Sequence, residues 1–463
     1  MDEFQGYHAE WNLGCPGGWE YQRMAQQRGK LCWQRIKEIS GIRIQLDFDH
    51  PLLNPVPSFI DMLLRVHRSK FQKEKPFILL VAEKETLDQV TENINLVAYL
   101  NQMEGVKAAL TCPEEVEKRG NDLTFRGGKV TLIFLDMNTD VLVRVGKEHQ
   151  IQPLLDGIRE GLVVNPRGME PLGAKGVFEA VTGELSSLLS ASTVKHTPWT
   201  RQFYPRSTTG PDGESIPDLP AWVRDHWDEI LLKPVNGYSG KGIFVGPLRD
   251  SRDEDIRKAL EGEPYIVQSF IPAGLWAEEY PGLDVQGEKV GLKRWQTDFR
   301  CLINDTGLIG FLARYGGIPT NVGAGGGNQS VAVLKSELSV REAANRINDA
   351  IMGLGYAVVM EIQEEVDKMG LDLGHTYLQG PTPTTLRPRL ITRDHLSALK
   401  AYSSNLWGDL LKLEKMWHEG RLEHVVQMGA GEEEIAKMQP WQGSPALVAS
   451  DGLFSFGAHL QDD

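Results

Sequence analysis

Residues 230–246 constrain the fold more than any other stretch of this chain. They are Ile-Leu-Leu-Lys-Pro-Val-Asn-Gly-Tyr-Ser-Gly-Lys-Gly-Ile-Phe-Val-Gly, two apolar runs that flank a loop with three glycines. This pattern predicts a hairpin of two short strands, because a strand followed by a helix would need a second run of helical character. Glycines let backbone N–H groups approach an anion closely, so the loop also predicts a concave nest for phosphate.

Two lysines accompany this loop. Lys233 lies at the end of the first strand, and Lys241 lies within the loop. The order G-x-x-x-x-G-K-[ST] and a following helix are both missing, which excludes a Walker loop. A plain glycine-rich turn without a ligand is the alternative interpretation.

With 463 residues the chain is long enough for two or three domains. Its composition is typical of a globular enzyme. A net charge of −14 argues against a general binder of nucleic acids or anionic membranes, although it is compatible with a local basic pocket. No apolar run is long enough to span a membrane, and no signal-peptide pattern is present. The four cysteines are Cys15, Cys32, Cys112 and Cys301. They lack the spacing of metal ligands and indicate reduced thiols, so we expect a cytoplasmic protein.

Secondary-structure patterns predict a mixed α+β or α/β fold. Strand patterns at residues 77–82, 106–110 and 130–135, with a helix at 87–103, indicate a small open α/β layer. Residues 337–369 have a helical pattern, within which 358–362 could be a strand. A long amphipathic helix is expected at 396–421, and a terminal strand pair around Asp451-Gly452 at 446–456.

Three further positions are candidates for ligand binding. Glu10 and Asn12 are two residues apart, so on a strand both side chains would lie on one face and could bind Mg²⁺; a solvated edge strand is the alternative. Lys175 is expected in the first turn of a helix, where a cation is unfavourable unless it reaches solvent or meets an anion. The glycine-rich run 323–329 is either a linker or a lid that orders over a ligand.

These motifs together resemble the ATP-grasp ligases, in particular the permuted branch that includes eukaryotic glutathione synthetase and glutathionylspermidine synthase. The Lys-Pro strand and glycine loop at 233–242, the strand at 265–271 and the segment 310–329 occur in the order typical of that branch. Glu10-Trp-Asn12 and Lys175, in Leu-Gly-Ala-Lys-Gly-Val, resemble its Glu-x-Asn pair and its first nucleotide lysine. The resemblance covers about residues 7–335 and leaves the substrates unidentified.

The resemblance implies ATP and Mg²⁺ as cofactors and small-molecule carboxylate and amine substrates. We expect no nucleic-acid or membrane partner, and whether the protein is a homodimer is left open. Arg314 and Arg300 would bind the carboxylate or the γ-phosphate. Glu10 and Asn12 would bind Mg²⁺, with Asp451 or Asp298 as a further ligand. The nucleotide would be bound by Lys175, Lys233, Gly237, Tyr238, Ser239, Gly240, Lys241, Gly242, Gln268, Ser269, Phe270 and Ile271.

The implied function is an ATP-dependent carboxylate–amine ligase that forms an amide through an acyl phosphate. A phosphotransferase and a catalytically inactive nucleotide-binding module are the alternatives. The expected domains are a metal-ligand strand and helix (1–40), a small α/β domain (41–150), an ATP-grasp domain with a glycine-rich lid (151–382) and a helical segment with terminal strands (383–463).

The chain order suggests a further circular permutation. In the permuted relatives, a helix and a strand with an acidic metal ligand come just before the Glu-x-Asn strand, whereas only nine residues precede Glu10 here. We expect the C-terminal helix and the strand around Asp451 to supply those parts, with the two termini close together. A Ser-Asp-Gly turn in a terminal hairpin is the alternative.

Overall fold

The computed structural model describes residues 4–236, 242–318, 320, 325–377 and 380–460 of a mixed α+β protein. The strands are β1 (Gln5–Asn12), β2 (Leu46–Asp47), β3 (Phe77–Ala82), β4 (Lys107–Thr111), β5 (Glu117–Arg119), β6 (Asp122–Phe125), β7 (Gly128–Lys129), β8 (Leu132–Asp136), β9 (Val163–Val164), β10 (Thr200–Gln202), β11 (Thr208–Thr209), β12 (Ser215–Ile216), β13 (Ile230–Pro234), β14 (Phe244–Val245), β15 (Tyr265–Ser269), β16 (Ala277–Asp284), β17 (Lys289–Asn304), β18 (Gly307–Gly316), β19 (Gly327–Gln329), β20 (Val331–Leu334), β21 (Thr376–Tyr377), β22 (Gly380–Pro381), β23 (Arg389–Ile391) and β24 (Val448–Ser455).

The helices differ widely in length, and the longest pack on the largest sheet. They are α1 (Trp19–Ser40), α2 (Val56–Lys70), α3 (Thr91–Gln102), α4 (Thr139–Glu148), α5 (Gln152–Arg159), α6 (Val177–Val181), α7 (Ala191–Lys195), α8 (Leu219–Asp225), α9 (Arg252–Glu261), α10 (Val340–Gly353), α11 (Tyr356–Asp372), α12 (Arg393–His418), α13 (Glu423–Val426) and α14 (Ala430–Met438). Within the described ranges, none of them is both long and apolar enough to cross a membrane.

The largest sheet is antiparallel and joins the two ends of the chain. Its strand order is β1-β24-β17-β18-β19, and β16 pairs with the first half of β17. The C-terminal strand therefore pairs with β1, as the sequence predicted, and also with β17, which the sequence did not predict. Glu10 lies opposite Asp451, and Asp451 lies opposite Arg300. Strands from the first and the last expected domains, residues 1–40 and 383–463, thus belong to one sheet.

The predicted strand pair at 446–456 is wrong, because β24 continues through Asp451 and Gly452 as a single strand. Asp-Gly is a favourable turn sequence, but here the backbone is hydrogen-bonded to β1 on one side and to β17 on the other. Pairing on both sides satisfies the backbone polar groups of the segment, whereas a turn would leave the neighbouring strands unpaired. A side chain at Gly452 would overlap the ring of Phe454.

The two faces of this sheet have different environments. One face packs on α12 through apolar residues that include Phe299 and Phe311. On the other face, Leu302 and Ala449 pack on α2, while Arg300 and Asp451, two residues further along the same strands, face a cleft. Side chains alternate along a strand, so each strand contributes both to the core and to the cleft.

Two smaller sheets complete the cleft. The antiparallel sheet β10-β15-β13-β14 contains the predicted hairpin, in which Leu231 pairs with Val245 and Leu232 with Phe244. The parallel sheet β4-β3-β8-β9 corresponds to the predicted α/β layer, and Asp136 ends its strand β8.

Two other secondary-structure predictions are corrected. Residues 358–362 belong to α11 and not to a strand, since Val359 and Ile362 face the core at helical spacing. Part of the predicted lid is a strand: Gly327–Gln329 is buried and pairs with β18. Gly323 and Ala324 lie outside the described residues.

Helix α1 begins at a junction with the α/β layer. Gly18, its N-cap, has φ of 106°, a region that is accessible chiefly to glycine. Both carboxylate oxygens of Glu92 accept a hydrogen bond from Gly18 N, at 2.9 and 3.0 Å, and Glu20 N donates to Glu92 Oε2 at 2.8 Å. A carboxylate at this position satisfies the N–H groups that a helix leaves unpaired.

We expect Gly18→Ala to destabilise the protein by roughly 2 kcal/mol or more, since the left-handed backbone is strained for alanine and the new Cβ would overlap Leu312 Cδ2. Urea denaturation measures the change. Gly353→Ala in α10 is the matched control, because a Cβ there has no neighbour within 4 Å. It should be neutral or slightly stabilising, and an equal loss in both variants would contradict the expectation.

Candidate active site

A cleft of about 780 Å³ lies between the large sheet, the β10-β15-β13-β14 sheet and the α/β layer. Most of the predicted site residues line it: Glu10, Asn12, Lys175, Lys233, Gln268, Phe270, Ile271, Asp298, Arg300, Arg314 and Asp451. Among the described residues, Gly242 and Ser269 are the predicted ligands that do not line it. Gly237, Tyr238, Ser239, Gly240 and Lys241 lie outside the described residues.

Two buried lysines meet Glu10 at one wall of this cleft. Lys175 and Lys233 are each only 7% exposed. Lys175 Nζ is 3.6 Å from Glu10 Oε2. Lys175 lies two residues before α6, and not inside its first turn as predicted. Its backbone N–H donates to Val235 O, which ties it to the end of β13.

Lys233 is held by the neighbouring strand. Its Nζ donates to Gln268 Oε1 at 2.9 Å, while Gln268 Nε2 donates to Thr200 Oγ1 at 3.0 Å. Burial lowers the pKa of Lys233 to about 8, with Glu10 opposing and Lys175 reinforcing the shift. Gln268 belongs to the segment 265–271, which by the family resemblance would be the hinge that binds adenine, and in this structure its side chain positions a lysine.

The rest of the predicted hinge follows β15. The backbone N–H groups of Ser269 and Phe270 donate to Trp199 O at 3.0 Å and Glu229 O at 2.8 Å. Ile271 O accepts from Trp276 Nε1 at 3.2 Å. These bonds fix the path of the segment, and its contact with adenine stays a prediction.

Four charged side chains form an ion-pair network on the sheet face. Arg300 binds Asp451 with two parallel hydrogen bonds, of which Nη2 to Oδ2 is 2.7 Å, and its Nη1 donates to Gly17 O at 2.9 Å. Arg314 donates to Asp451 Oδ2 at 2.9 Å and to Asp298 Oδ1 at 2.8 Å. Thr320 Oγ1 also donates to Asp298.

The network sets the ionisation of Asp451. Burial alone would raise the pKa of this carboxyl group, but Arg300 and Arg314 outweigh burial and lower the pKa to about 2. Burial opposes the charge of Arg314, whereas Asp298 and Asp451 raise its pKa. Asp451 and Arg314 are therefore charged at neutral pH. A substrate anion at either arginine would share the guanidinium with a carboxylate.

Glu10 and Asn12 fit a magnesium ion whose other ligands are water and phosphate. Asn12 Nδ2 is buried and has no hydrogen-bond partner. Rotation of the amide by 180° would present Oδ1 at the same place. No three His, Cys, Asp or Glu side chains among the described residues form a metal site by themselves, but Mg²⁺ is usually bound through one or two carboxylates plus phosphates. Asp451 already accepts from two arginines, and its metal role stays a prediction.

Sequence inspection missed an acidic end of the cleft, which we name the acidic compartment. It consists of Glu92, Asp136, Asp140, Glu170 and Glu432. A local signal existed for Asp136 and Asp140, because polar residues directly after a buried parallel strand lie at the sheet edge where ligands bind. No local signal pointed to Glu432, which α14 brings in from far along the chain.

Comparisons with known proteins show similarity to ATP-grasp structures. A RimK-domain ATP-grasp protein from Sphaerobacter thermophilus is 13% identical, with a TM-score of 0.29, over 62% of this chain and 98% of its own. D-alanine–D-alanine ligase from Bacillus anthracis is 10% identical, with a TM-score of 0.30, over 73% and 99%. D-alanyl-alanine synthetase A from Vibrio cholerae is 14% identical, with a TM-score of 0.24, over 48% and 67%.

No protein-family model and no curated protein matches the sequence. The likeness to these solved structures is partial, with identities of 14% or less and TM-scores of 0.30 or less. The permuted branch stays a prediction.

We expect Asp451→Ala to destabilise the fold by about 3–5 kcal/mol, because two arginines would lose a buried partner. The carboxyl pKa is about 2 in the folded state and about 3.9 when unfolded. The contribution is therefore complete above pH ~4 and is lost as the pH falls towards 2.

Urea denaturation from pH 8 to pH 3 measures this difference between the parent protein and Asp451→Ala. Asp253→Asn is the control, since its ion pair with Arg224 is exposed and exposed ion pairs contribute little to stability. A loss for Asp451→Ala no larger than that of the control would contradict a structural role of the network.

Proposed function

We propose that this protein is an ATP-dependent carboxylate–amine ligase that forms an amide bond through an acyl phosphate. One observation carries the proposal. Two buried lysines meet Glu10 at one wall of a cleft whose adjoining wall presents Arg300 and Arg314. Buried cations of like charge are costly unless an anion compensates them. Glu10 lies 3.6 Å from Lys175 and its charge also acts on Lys233, and a polyphosphate would add negative charge beside both lysines.

The side chains divide the work by their chemistry. Lys175 and Lys233 would bind the α- and β-phosphates, and Gln268 would orient Lys233. Glu10 and Asn12 would bind Mg²⁺, which offsets charge on the phosphates. Arg314 and Arg300 would orient the substrate carboxylate, because planar guanidinium groups recognise carboxylate and phosphate geometry.

The reaction has two balanced steps. ATP, when bound, supplies a phosphoryl group to the carboxylate oxygen, and ADP leaves. The nitrogen of the neutral amine then attacks the acyl carbon, a C–N bond forms as the C–O bond to phosphate breaks, and the nitrogen loses one proton. The protein's contribution is positioning and charge neutralisation in a site that limits water.

An ADP-release assay with pooled amino acids and amines tests this proposal. Release that requires an amine supports the ligase. Release that needs a carboxylate but no amine would instead indicate a phosphotransferase, and nucleotide binding without turnover an inactive module.

Lys233→Ala should abolish ADP release and leave the fold intact, because the ammonium acts on phosphate and contributes little to packing. Circular dichroism checks the fold of the variant. Lys70→Ala is the control, since Lys70 donates to the backbone carbonyl of Gly161 and does not line the cleft. Undiminished ADP release in Lys233→Ala would remove Lys233 from the nucleotide site.

Glu10→Gln should raise the Mg²⁺ concentration required for the half-maximal rate, by roughly tenfold for the loss of one charged ligand, about 1.4 kcal/mol. The rate is measured against Mg²⁺ at saturating nucleotide. Glu279→Gln, exposed on β16, is the control. A variant with the parental Mg²⁺ dependence would return Glu10 to the role of an edge-strand residue.

A further inference from the structure

A second cavity, of about 520 Å³, lies outside the cleft. Strands β16, β17 and β18, helices α1 and α11 and the segment 381–386 contribute to its wall. Among the described residues, none lines both this cavity and the cleft. Tyr315 follows Arg314 on β18, so its side chain leaves the sheet on the face opposite to the cleft. The volume lies within the usual range for small-molecule sites, roughly 300–1,000 Å³.

This second cavity has a buried floor and an exposed rim. At the floor, Arg28, Tyr280 and His375 are each 2% exposed or less. At the rim, Leu371 is 60% exposed. A small molecule can therefore enter from solvent without passing through the cleft.

Two aromatic side chains form part of the wall. The rings of Trp295 and Tyr315 meet edge to face, with their centroids 5.6 Å apart. Tyr315 is 8% exposed, and Trp295 is half-buried. Pro281 and Leu386 also line the cavity. Such a wall favours a flat apolar ring, because aromatic side chains gain from stacked or edge-to-face contact with another ring.

His375 is a buried hydrogen-bond donor without an acceptor. Arg28 Nη1 lies 3.2 Å from His375 Nδ1. A guanidinium can only donate, so Nδ1 accepts and the proton of the neutral ring is on Nε2. Burial, reinforced by Arg28, lowers the pKa of His375 to about 3, and the ring is therefore neutral. Nε2 is buried and has no hydrogen-bond partner in the part of the chain that the structure describes.

Two threonine hydroxyls add to these unpaired groups. Thr382 is 2% exposed, and Oγ1 of both Thr382 and Thr384 is buried with no hydrogen-bond partner among the described residues. Both side chains line the cavity, and a change of χ1 rotamer can turn a threonine hydroxyl toward a ligand. Buried polar groups are normally paired. Three unpaired groups at one cavity, each able to donate, indicate an acceptor that comes from outside the chain.

The charges near the floor are balanced. Arg28 donates to Thr382 O at 2.7 Å and forms an ion pair with Asp367 at 2.8 Å. Lys293 lies at the exposed rim, where its Nζ donates to Leu283 O at 2.8 Å. A charged group at the floor would lose its hydration, and the described residues there offer it no unpaired counter-charge. The cavity is thus suited to an uncharged ligand.

We propose that the second cavity binds an uncharged aromatic compound whose ring edge carries a hydrogen-bond acceptor, such as a carbonyl oxygen. The ring packs on Trp295 and Tyr315, and the acceptor pairs with His375 and Thr382. The site is separate from the cleft, since the two share no described lining residue. The inference therefore does not rest on the ligase function.

Ligand-observed NMR titration of the full chain tests the proposal with three compounds of similar size. Naphthalene-2-carboxamide is uncharged and aromatic, and naphthalene-2-carboxylate is its anionic counterpart. Decahydronaphthalene-2-carboxamide has the same amide on a saturated ring. We expect the aromatic amide to bind about tenfold more tightly than either analogue, or more.

Two variants of the cavity should each weaken binding of the aromatic amide, by roughly fivefold for the loss of one hydrogen bond or ring contact. Thr382→Val removes a hydroxyl and keeps the shape of the side chain. Trp295→Leu removes one ring of the aromatic wall at a half-buried position, and it decides the test if Thr382→Val impairs folding. Thr209→Val, which replaces an exposed threonine of β11, is the control and should have no effect.

ATP is titrated into the same samples, and thermal unfolding checks the fold of each variant. The absence of saturable binding of the aromatic amide up to about 1 mM would overturn the inference and leave water as the partner of the unpaired groups. Equal or tighter binding of either analogue, or unchanged affinity in a folded cavity variant, would also overturn it. Displacement of the amide by ATP would do the same, by placing the amide in the cleft.

Discussion

The carboxylate of Asp451, held between Arg300 and Arg314, is the interaction on which the rest of the structure depends. It lies on the strand that joins the two ends of the chain in one sheet, and both of its neighbouring strands contribute to the cleft. If β24 shifted by one residue relative to its neighbouring strands, Asp451 would turn toward the apolar face and two arginines would be left unpaired. The ion pairs therefore select one register, and that register places Glu10 opposite Asp451.

The opposite face holds the same strand by different means. Ser450 and His8 point toward α12, where Tyr402 Oη lies 2.6 Å from Ser450 Oγ and 2.9 Å from His8 Nδ1. Burial keeps the pKa of His8 low, so this network is neutral at physiological pH. The ion pairs of Asp451 thus face the cleft, while neutral hydrogen bonds and aromatic packing hold the opposite face of β24.

Local patterns predicted the features that depend on neighbouring residues. The hairpin of β13 and β14, the parallel strands and the place of Lys233 follow from alternation and glycine spacing. Features that depend on distant partners were missed or misjudged. Asp451-Gly452 has the chemistry of a turn but lies between two strands, Gly327–Gln329 has the composition of a lid but pairs with β18, and Glu432 reaches the cleft only through the packing of α14.

The position of β24 has a consequence for biosynthesis. Until residues 448–455 leave the ribosome, β1 and β17 have open edges where their shared partner belongs, and neither the sheet nor the cleft can form. Exposed strand edges pair readily with other chains, and contacts between the ends of a long chain close slowly. A nascent or truncated chain that lacks residues 448–455 is therefore vulnerable to aggregation, and its dependence on chaperones should be greatest before these residues are free to pair.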